Sequence, residues 1–496
     1  MTTRAAFVCL DTLGDLTLRQ PLFSAALDAG LDVTVVVRES YAPLLPYLDR
    51  RLRALTTDVD PYRPAPDALT QMEALSARIA AEAPDLLVLA AWSRTHVDEW
   101  LLRRADAPRR AAFRRPAAPA VLALLGELAP GLDLTAPAAP EVAVEAGESD
   151  HELEKNHALA SAVLGQAVPP AEPRLRLDDA TRARARERLR SLGLGPGRFV
   201  LGCPGGTANN ACKGWPPDAY ARLVVHLHER HGLPVLLTGL PGEAGRMDEI
   251  ARRAADHDVP VARHVGEGGD LPLLLGLIAE SRLYLGADTG PMHFAGALDV
   301  PVVALFGGGH WPRFLPRARR SFTATQELPC FRCDWDCFLA EPACLTAVPT
   351  ETMSRGVDWI LGDGPDERRV DRGHAVGPEL AQVLGAARAR HDARTAALEE
   401  LGRQLRRSEH RLAEFSELAA RRHQDTATLA GLLHAAEEES LQRLRNMETL
   451  QGIVDEQRAA LDAQQAAMAA QERTIAEQQA VLRRRSVKIA RKLRLP

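Results

Sequence analysis

The sequence predicts an α/β protein: two successive parallel-sheet domains followed by a long helical segment. Three observations carry that expectation. Short apolar runs alternate with helix-like stretches from the first residues onward, and a second series of the same kind starts near Asp178. Of the 34 prolines, 33 lie in residues 1–378 and none occurs between 379 and 495. Proline breaks helix interiors, so that stretch reads as uninterrupted helix. Strands alternating with helices imply parallel pairing through crossover connections.

In order, residues 5–10 (AAFVCL) are a first buried strand, followed by a turn and a helix-like stretch through Ala29. Residues 32–37 (DVTVVV) and 85–90 (DLLVLA) supply further strands. Residues 104–150 are rich in Ala, Pro and Arg with little periodicity, and no element is assigned to them. The second series reads as a helix at 179–192, a strand at 198–203 and a glycine-rich loop to Trp215. A helix at 217–231 and strands at 234–238, 282–286 and 301–306 follow, with helices at 271–280 and from Gly290 between them. The expected domains are 1–178 and 179–362, a polar linker at 363–378, a helical segment at 379–482 and a basic tail at 483–496.

Composition narrows the function classes. The 496 residues carry 61 Lys plus Arg against 66 Asp plus Glu, a net charge of -5, which argues against a nucleic-acid binder. A 46% hydrophobic content excludes wholesale disorder. No apolar run approaches the roughly 18 residues of a transmembrane helix. The opening MTTRAAFVCLDTLGD reads as a strand and not a signal peptide, so the expectation is a soluble cytoplasmic protein. Of the 61 basic residues only four are lysines: Lys155, Lys213, Lys488 and Lys492.

Four loops at strand ends carry candidate chemistry. Asp15, in Leu13-Gly14-Asp15, either faces the crevice beyond the first strand or caps the following helix. Gly205-Gly206-Thr207 through Lys213-Gly214-Trp215 offers backbone N–H groups and one cation to a phosphate, or is an ordinary loop with a solvated lysine. Asp288-Thr289-Gly290-Pro291-Met292-His293 starts a helix whose dipole suits a diphosphate, with His293 donating to it or packing. Glu243, after strand 234–238, either accepts from ribose hydroxyls or stabilises the first turn of its own helix.

Together these motifs reach a resemblance. GDL near the N-terminus, HELEKNHALASAVLG at 151–165, PGG…KGWP…YARL at 204–223, LTGLPGE at 237–243 and GADTGPMHFAGALDVPVVALFG at 286–307 resemble glycosyltransferase family 9, the heptosyltransferases. The resemblance covers residues 1 to about 355. It implies a GT-B fold, in which a Rossmann-like acceptor domain faces a Rossmann-like nucleotide-sugar domain across a cleft. It implies inverting transfer of a heptose from an ADP-sugar to a glycan such as lipopolysaccharide core, without a catalytic metal. By position, Asp15 matches the base, Thr207 and Lys213 the phosphate loop, and Glu243 the ribose acid. Asp288, Thr289, Gly290 and His293 match the diphosphate motif. The last loop, Phe306-Gly307-Gly308-Gly309-His310, departs from the family's Phe-Gly-Pro-Thr. A protein acceptor, or a head without turnover acting as a scaffold, are the alternative readings.

Two further features are not among those motifs. Cys330, Cys333, Cys337 and Cys344 fall within fifteen residues and are candidate ligands for structural Zn or Fe, with free thiols or disulfides as alternatives. Similar clusters in part of the family include a cysteine-bound iron. From Leu398 to Leu482 one heptad register holds, with Leu405, Leu412, Leu433, Met447, Val454 and Leu461 among its seam residues. A seven-residue repeat implies a coiled coil and hence a homo-oligomer, against a lone helix as the alternative. The closing RRRSVKIARKLRLP has seven basic residues and no acid, which suits contact with the inner face of the membrane or simply a helix C-terminus.

Overall fold

The computed structural model describes residues 2–205, 213–266, 270–339, 341–421 and 426–493. They form two compact units, residues 1–382 and 383–496. The first strand, β1 (Arg4–Cys9), is buried from its second residue on. Its near-continuous apolar run is what a strand covered on both faces requires. Around it the chain places β2 (Asp32–Arg38), β3 (Arg53–Thr57), β4 (Leu86–Leu89), β5 (Arg109–Phe113) and β6 (Val142–Val144). These are parallel, in the order β3-β2-β1-β4-β5-β6. The helices of this half are α1 (Leu13–Leu18), α2 (Gln20–Asp28), α3 (Leu45–Leu48), α4 (Ala68–Ala81), α5 (His96–Arg104), α6 (Pro119–Leu128) and α7 (Glu152–Leu164).

The second half starts with α8 (Asp179–Ser191), capped by Asp178, whose carboxylate accepts the Thr181 N–H at 2.8 Å. Its strands are β7 (Val200–Cys203), β8 (Val235–Gly239), β9 (Val261–Val265), β10 (Leu283–Ala287), β11 (Val302–Leu305), β12 (Ser321–Ala324) and β13 (Arg368–Asp371). They too are parallel, in the order β13-β12-β11-β10-β7-β8-β9. Between them run α9 (Pro217–His231), α10 (Ala244–Ala255), α11 (Leu271–Ala279), α12 (Gly290–Ala297), α13 (Ala343–Thr346) and α14 (Thr350–Leu361). One apolar cluster extends from Phe7 and Phe23 in the first half to Phe294 and Trp311 in the second, so the halves share part of their core.

Three differences from expectation have physical reasons. Residues 104–150, left without elements, hold β5, α6 and β6; β5 opens on two arginines, and Arg110 is paired with Glu141 across the ladder. The expected linker 363–378 contains β13, an edge strand that opens on two exposed arginines. The expected single helix of 379–482 is two: α15 (Pro378–Arg421) and α16 (Thr426–Leu493), with 422–425 outside the described residues.

In the second unit, Arg443 Nη1 donates to Gln404 O at 2.7 Å and to the Ser408 hydroxyl, so α16 folds back along α15. Ser408 and Val454 are buried, while Leu398 and Leu433 stay 44% exposed. The seam is therefore only partly covered within one chain.

At the carboxyl end of β1, Arg19 is fully buried and makes a two-pronged ion pair with Asp11, while its Nη2 also donates to Ala90 O at 3.1 Å. This ties α1 and α2 to the ends of β1 and β4. Removing one partner of such a pair leaves a stranded charge. Asp11→Ala is expected to lower stability by about 3–5 kcal/mol, read as a lower urea midpoint, and Arg19→Met in the same chain is expected to recover most of it.

Candidate active site

Open parallel sheets bind ligands beyond the carboxyl ends of their strands, where the strand order reverses. In the first sheet that point lies between β1 and β4; in the second it lies between β7 and β10. Beyond β1 come Asp11, Thr12 and α1. The Pro204-Gly205 turn follows β7, Glu243 lies beyond β8, and Asp288-Thr289 leads into α12 beyond β10. Gly206 and Thr207 lie outside the described residues.

Asp15 is not the helix cap. Thr12 fills that position, and Asp15 is the third residue of α1. The Thr12 hydroxyl donates to Asp15 Oδ2 at 2.6 Å and accepts the Asp15 N–H at 3.4 Å. Burial pushes the Asp15 carboxyl up to about 7, and the nearby Asp11 charge adds to this, against the opposing pull of Arg19 and Thr12. A carboxyl titrating there is matched to accepting a proton near neutral pH.

Directly beside it, α1 meets α12. A Cβ on Gly14 would stand 2.8 Å from Cδ2 of His293, and one on Gly290 would stand 3.7 Å from the Gly14 nitrogen. His293 is buried and stacks edge-on to Phe314 at 6.0 Å. Burial pulls its imidazole down to about 4, so it is neutral at physiological pH. The ring thus occupies the seam between the halves and has a single N–H to offer.

On the donor side, Lys213 Nζ donates to Asp288 O at 2.8 Å and to Asp288 Oδ2 at 3.2 Å. Asp288 is buried, so the loop after β7 is latched to the strand end of β10. Thr289 caps α12 without a side-chain hydrogen bond to it. Positive charge and the positive end of a helix therefore sit side by side, an arrangement suited to a diphosphate. Glu243 lies one strand over: its Oε2 accepts the Leu240 N–H at 2.9 Å, and a Cβ on Gly239 would stand 2.8 Å from that oxygen. Gly205 is closer still, since a Cβ there would overlap the same carboxylate.

Sequence reasoning missed the cations around Trp92. Arg115, Lys155 and Arg313 lie 3.8, 3.9 and 4.6 Å from its ring centre. Glu152, itself buried, pairs with Lys155 at 3.4 Å and Arg313 at 3.0 Å. Burial pulls the Lys155 ammonium down to about 8. Lys155 being one of four lysines was the available signal; the tryptophan and arginines come from distant loops and carried none.

Cys330, Cys333, Cys337 and Cys344 are half-buried thiols, with no disulfide among them. Cys344 is pushed up to about 12, first by burial and then by the charges of Cys330, Cys337 and Cys333, with the Gly308 N–H opposing. No three of the four sulfurs lie within 4.8 Å of one another, so the expected Zn or Fe site is not assembled among the described residues. Elsewhere among the described residues, His226 and His231 both place Nε2 against Asp358 Oδ1, at 2.8 and 2.7 Å, and tie α9 to α14.

Residues 131–334 match the family model of glycosyltransferase family 9 (heptosyltransferase). That span contains Lys213, Glu243, Asp288 and His293 but not Asp15. The chain is 33% identical over 124 residues to lipopolysaccharide heptosyltransferase 3 of Escherichia coli strain K12, covering 25% of this chain and 34% of that protein. It thus spans about a third of the length of the curated relatives it matches. Among solved structures it is similar to E. coli ADP-heptose lps heptosyltransferase II (18% identity, 72% of this chain, 98% of that one, TM-score 0.53). It is also similar to a family 9 glycosyl transferase from Veillonella parvula (18% identity, 65% and 85% covered, TM-score 0.50). Two parallel-sheet domains of the GT-B kind are therefore shown, and the family match supports a glycosyltransferase.

Because Asp15 holds its proton more tightly when folded, it costs stability above about pH 7, and that cost fades as pH falls toward the ordinary carboxylate range. Asp15→Asn is expected to be more stable than the parent at pH 8 by on the order of 2 kcal/mol, with the gap closing at pH 4 in thermal melts.

Proposed function

We propose that this chain is an inverting glycosyltransferase that moves a heptose from an ADP-sugar to a hydroxyl of a surface glycan of the lipopolysaccharide-core type. The observation that carries the reading is the Asp15 carboxyl, tuned to about 7, set beside the contact of α1 with the first turn of α12. Asp15 takes the acceptor hydroxyl proton as that oxygen attacks the anomeric carbon. The bond from that carbon to the diphosphate oxygen breaks on the opposite face, and ADP leaves with the electron pair. Lys213 and the N-terminus of α12 stabilise the charge that gathers on the diphosphate. Glu243 holds the ribose; Gly205 borders the phosphate, with Gly206 and Thr207 outside the described residues; Thr289, Gly290 and His293 complete the donor side. No metal enters these steps.

We also propose that the exposed seam of the second unit pairs with a second copy of the chain. The leucines left exposed at heptad spacing, Leu398 and Leu433, support this. The basic residues beyond Leu482 suit the inner face of an anionic membrane; among the described residues, no helix is long and apolar enough to cross one. Residues 494–496 lie outside the described residues, and side-chain placement is not described from 478 onward.

Transfer from ADP-heptose to a truncated lipopolysaccharide acceptor tests the main reading. Asp15→Ala is expected to lose about 10²–10⁴ in kcat while binding ADP as the parent does. The parent's kcat/KM is expected to rise with pH to a plateau, with a midpoint near 7. Lys213→Ala is expected to weaken ADP binding and lower kcat together, by about 10²–10³ in rate. ADP binding without turnover on any acceptor would favour the scaffold. Cosedimentation with anionic vesicles, comparing the full chain with one ending at Leu482, tests the membrane contact: equal pelleting would reject it.

A further inference from the structure

The cysteine-bearing segment 330–344 lies directly on the glycine loop that follows β11. The Arg332 N–H donates to Gly308 O at 2.7 Å, and the Asp334 N–H donates to Gly309 O at 3.1 Å. In the other direction, the Gly308 N–H donates to the Cys344 thiol. Two rings press onto the same backbone. A Cβ on Gly307 would stand 2.6 Å from the Trp335 ring, one on Gly309 would overlap that ring, and one on Gly308 would overlap Phe331. Trp311 stacks edge-on to Phe331 at 5.6 Å and to Phe306 at 5.7 Å, so the clamp continues into the core.

To make this fit, the chain takes positive φ at three non-glycine residues: Arg332 (69°), Asp334 (47°) and Trp335 (65°). A bulky side chain in the left-handed region is strained, and it persists only where the surroundings over-determine it. What the strain accomplishes is visible at Trp335. Its indole lies flush against the glycines and also covers Lys213, whose Nζ is 4.4 Å from the ring centre. The ammonium is thereby held between the two oxygens of Asp288 and an aromatic face. Lysine is a flexible four-carbon stem with no preset geometry, so a fixed position requires contacts of this kind.

We propose that Trp335 is a positioning residue for the donor diphosphate: it holds the Lys213 ammonium in place, and segment 330–344 is the arm that presents it. This rests on the reading of Lys213 as a diphosphate-binding cation. Trp335 acts through Lys213 and needs no contact with the reacting atoms. Its loss therefore weakens donor binding and the chemical step together, as loss of the lysine does but less severely, and leaves the acceptor unaffected.

ADP binding by calorimetry on the full chain is the primary readout. Trp335→Leu is expected to weaken ADP about tenfold and lower kcat by a similar factor, with the acceptor KM unchanged. Trp335→Phe, which keeps an aromatic face, is expected to stay within threefold of the parent. In a Lys213→Ala chain, Trp335→Leu is expected to have no further effect on ADP. If the parent itself does not bind ADP, the donor reading of Lys213 fails, and this inference with it. If the parent binds ADP and folded Trp335→Leu binds it equally well, Lys213 stands and the positioning role is overturned. An equal loss in the Lys213→Ala background overturns it too. Should Trp335→Leu melt at the assay temperature, Trp335→Met decides: similar bulk without a π face should still cost about tenfold, and parent-like binding would sink the idea.

Discussion

The closeness with which α1 and α12 approach governs the whole crevice. Neither helix has a side chain at the crossing, where Gly14 and Gly290 meet, and His293 fills the space that a Cβ on Gly14 would need. A side chain at Gly14 would strike the His293 ring and force α1 off α12 or the imidazole out of the seam, whereas a Cβ at Gly290 would make only ordinary contacts. The contact is polar at its back as well. Arg19 and Asp11 neutralise each other under α1, and Asn156 of α7 donates to Leu18 O at 3.2 Å. The short helix is therefore held at both ends before any ligand arrives.

That approach explains how one crevice keeps two opposite electrostatic states apart. On the first sheet, burial and the Asp11 charge make a carboxylate reluctant to ionise. On the second, Asp288 holds a lysine as a cation at the end of β10. The imidazole between them is too dry to charge at neutral pH, so it separates the two sides without shorting them. The departure of the last loop from the family's Phe-Gly-Pro-Thr belongs to the same design. A proline at 308 would lose the N–H that meets the Cys344 thiol, and any side chain there or at 309 would strike Phe331 or Trp335.

The strands buried on both faces, such as AAFVCL and DVTVVV, were legible because burial demands continuous apolar runs. Edge and near-edge strands were not. VARHV (β9), SFTA (β12) and RRVD (β13) each carry polar residues that a sheet margin tolerates, and so lack a period to read. The strand-end residues Asp15, Lys213, Glu243 and Asp288 could be picked out because parallel topology dictates where a crevice must open. Trp92, Arg313 and Trp335 could not, since the contacts of Trp92 with Lys155 and Arg313 and of Trp335 with Lys213 each cross more than 60 residues of chain. The tail's heptads were visible, but the reversal that folds α16 along α15 has no glycine or proline to announce it.

The edge strand β13 has a mechanical side. It is four residues long, pairs with β12 alone, and passes through only six residues into α15. Any tension applied to the helical unit therefore reaches the sheet through that short ladder. The ladder is reinforced by ion pairs at its rim: Arg368 with Glu172, Arg355 with Asp371, and Arg372 with Glu327. Exposed pairs of this kind weaken as ionic strength rises. A tether anchored in this way would carry less load in concentrated salt, and under pulling it would yield at β13 before the sheet interior gives way.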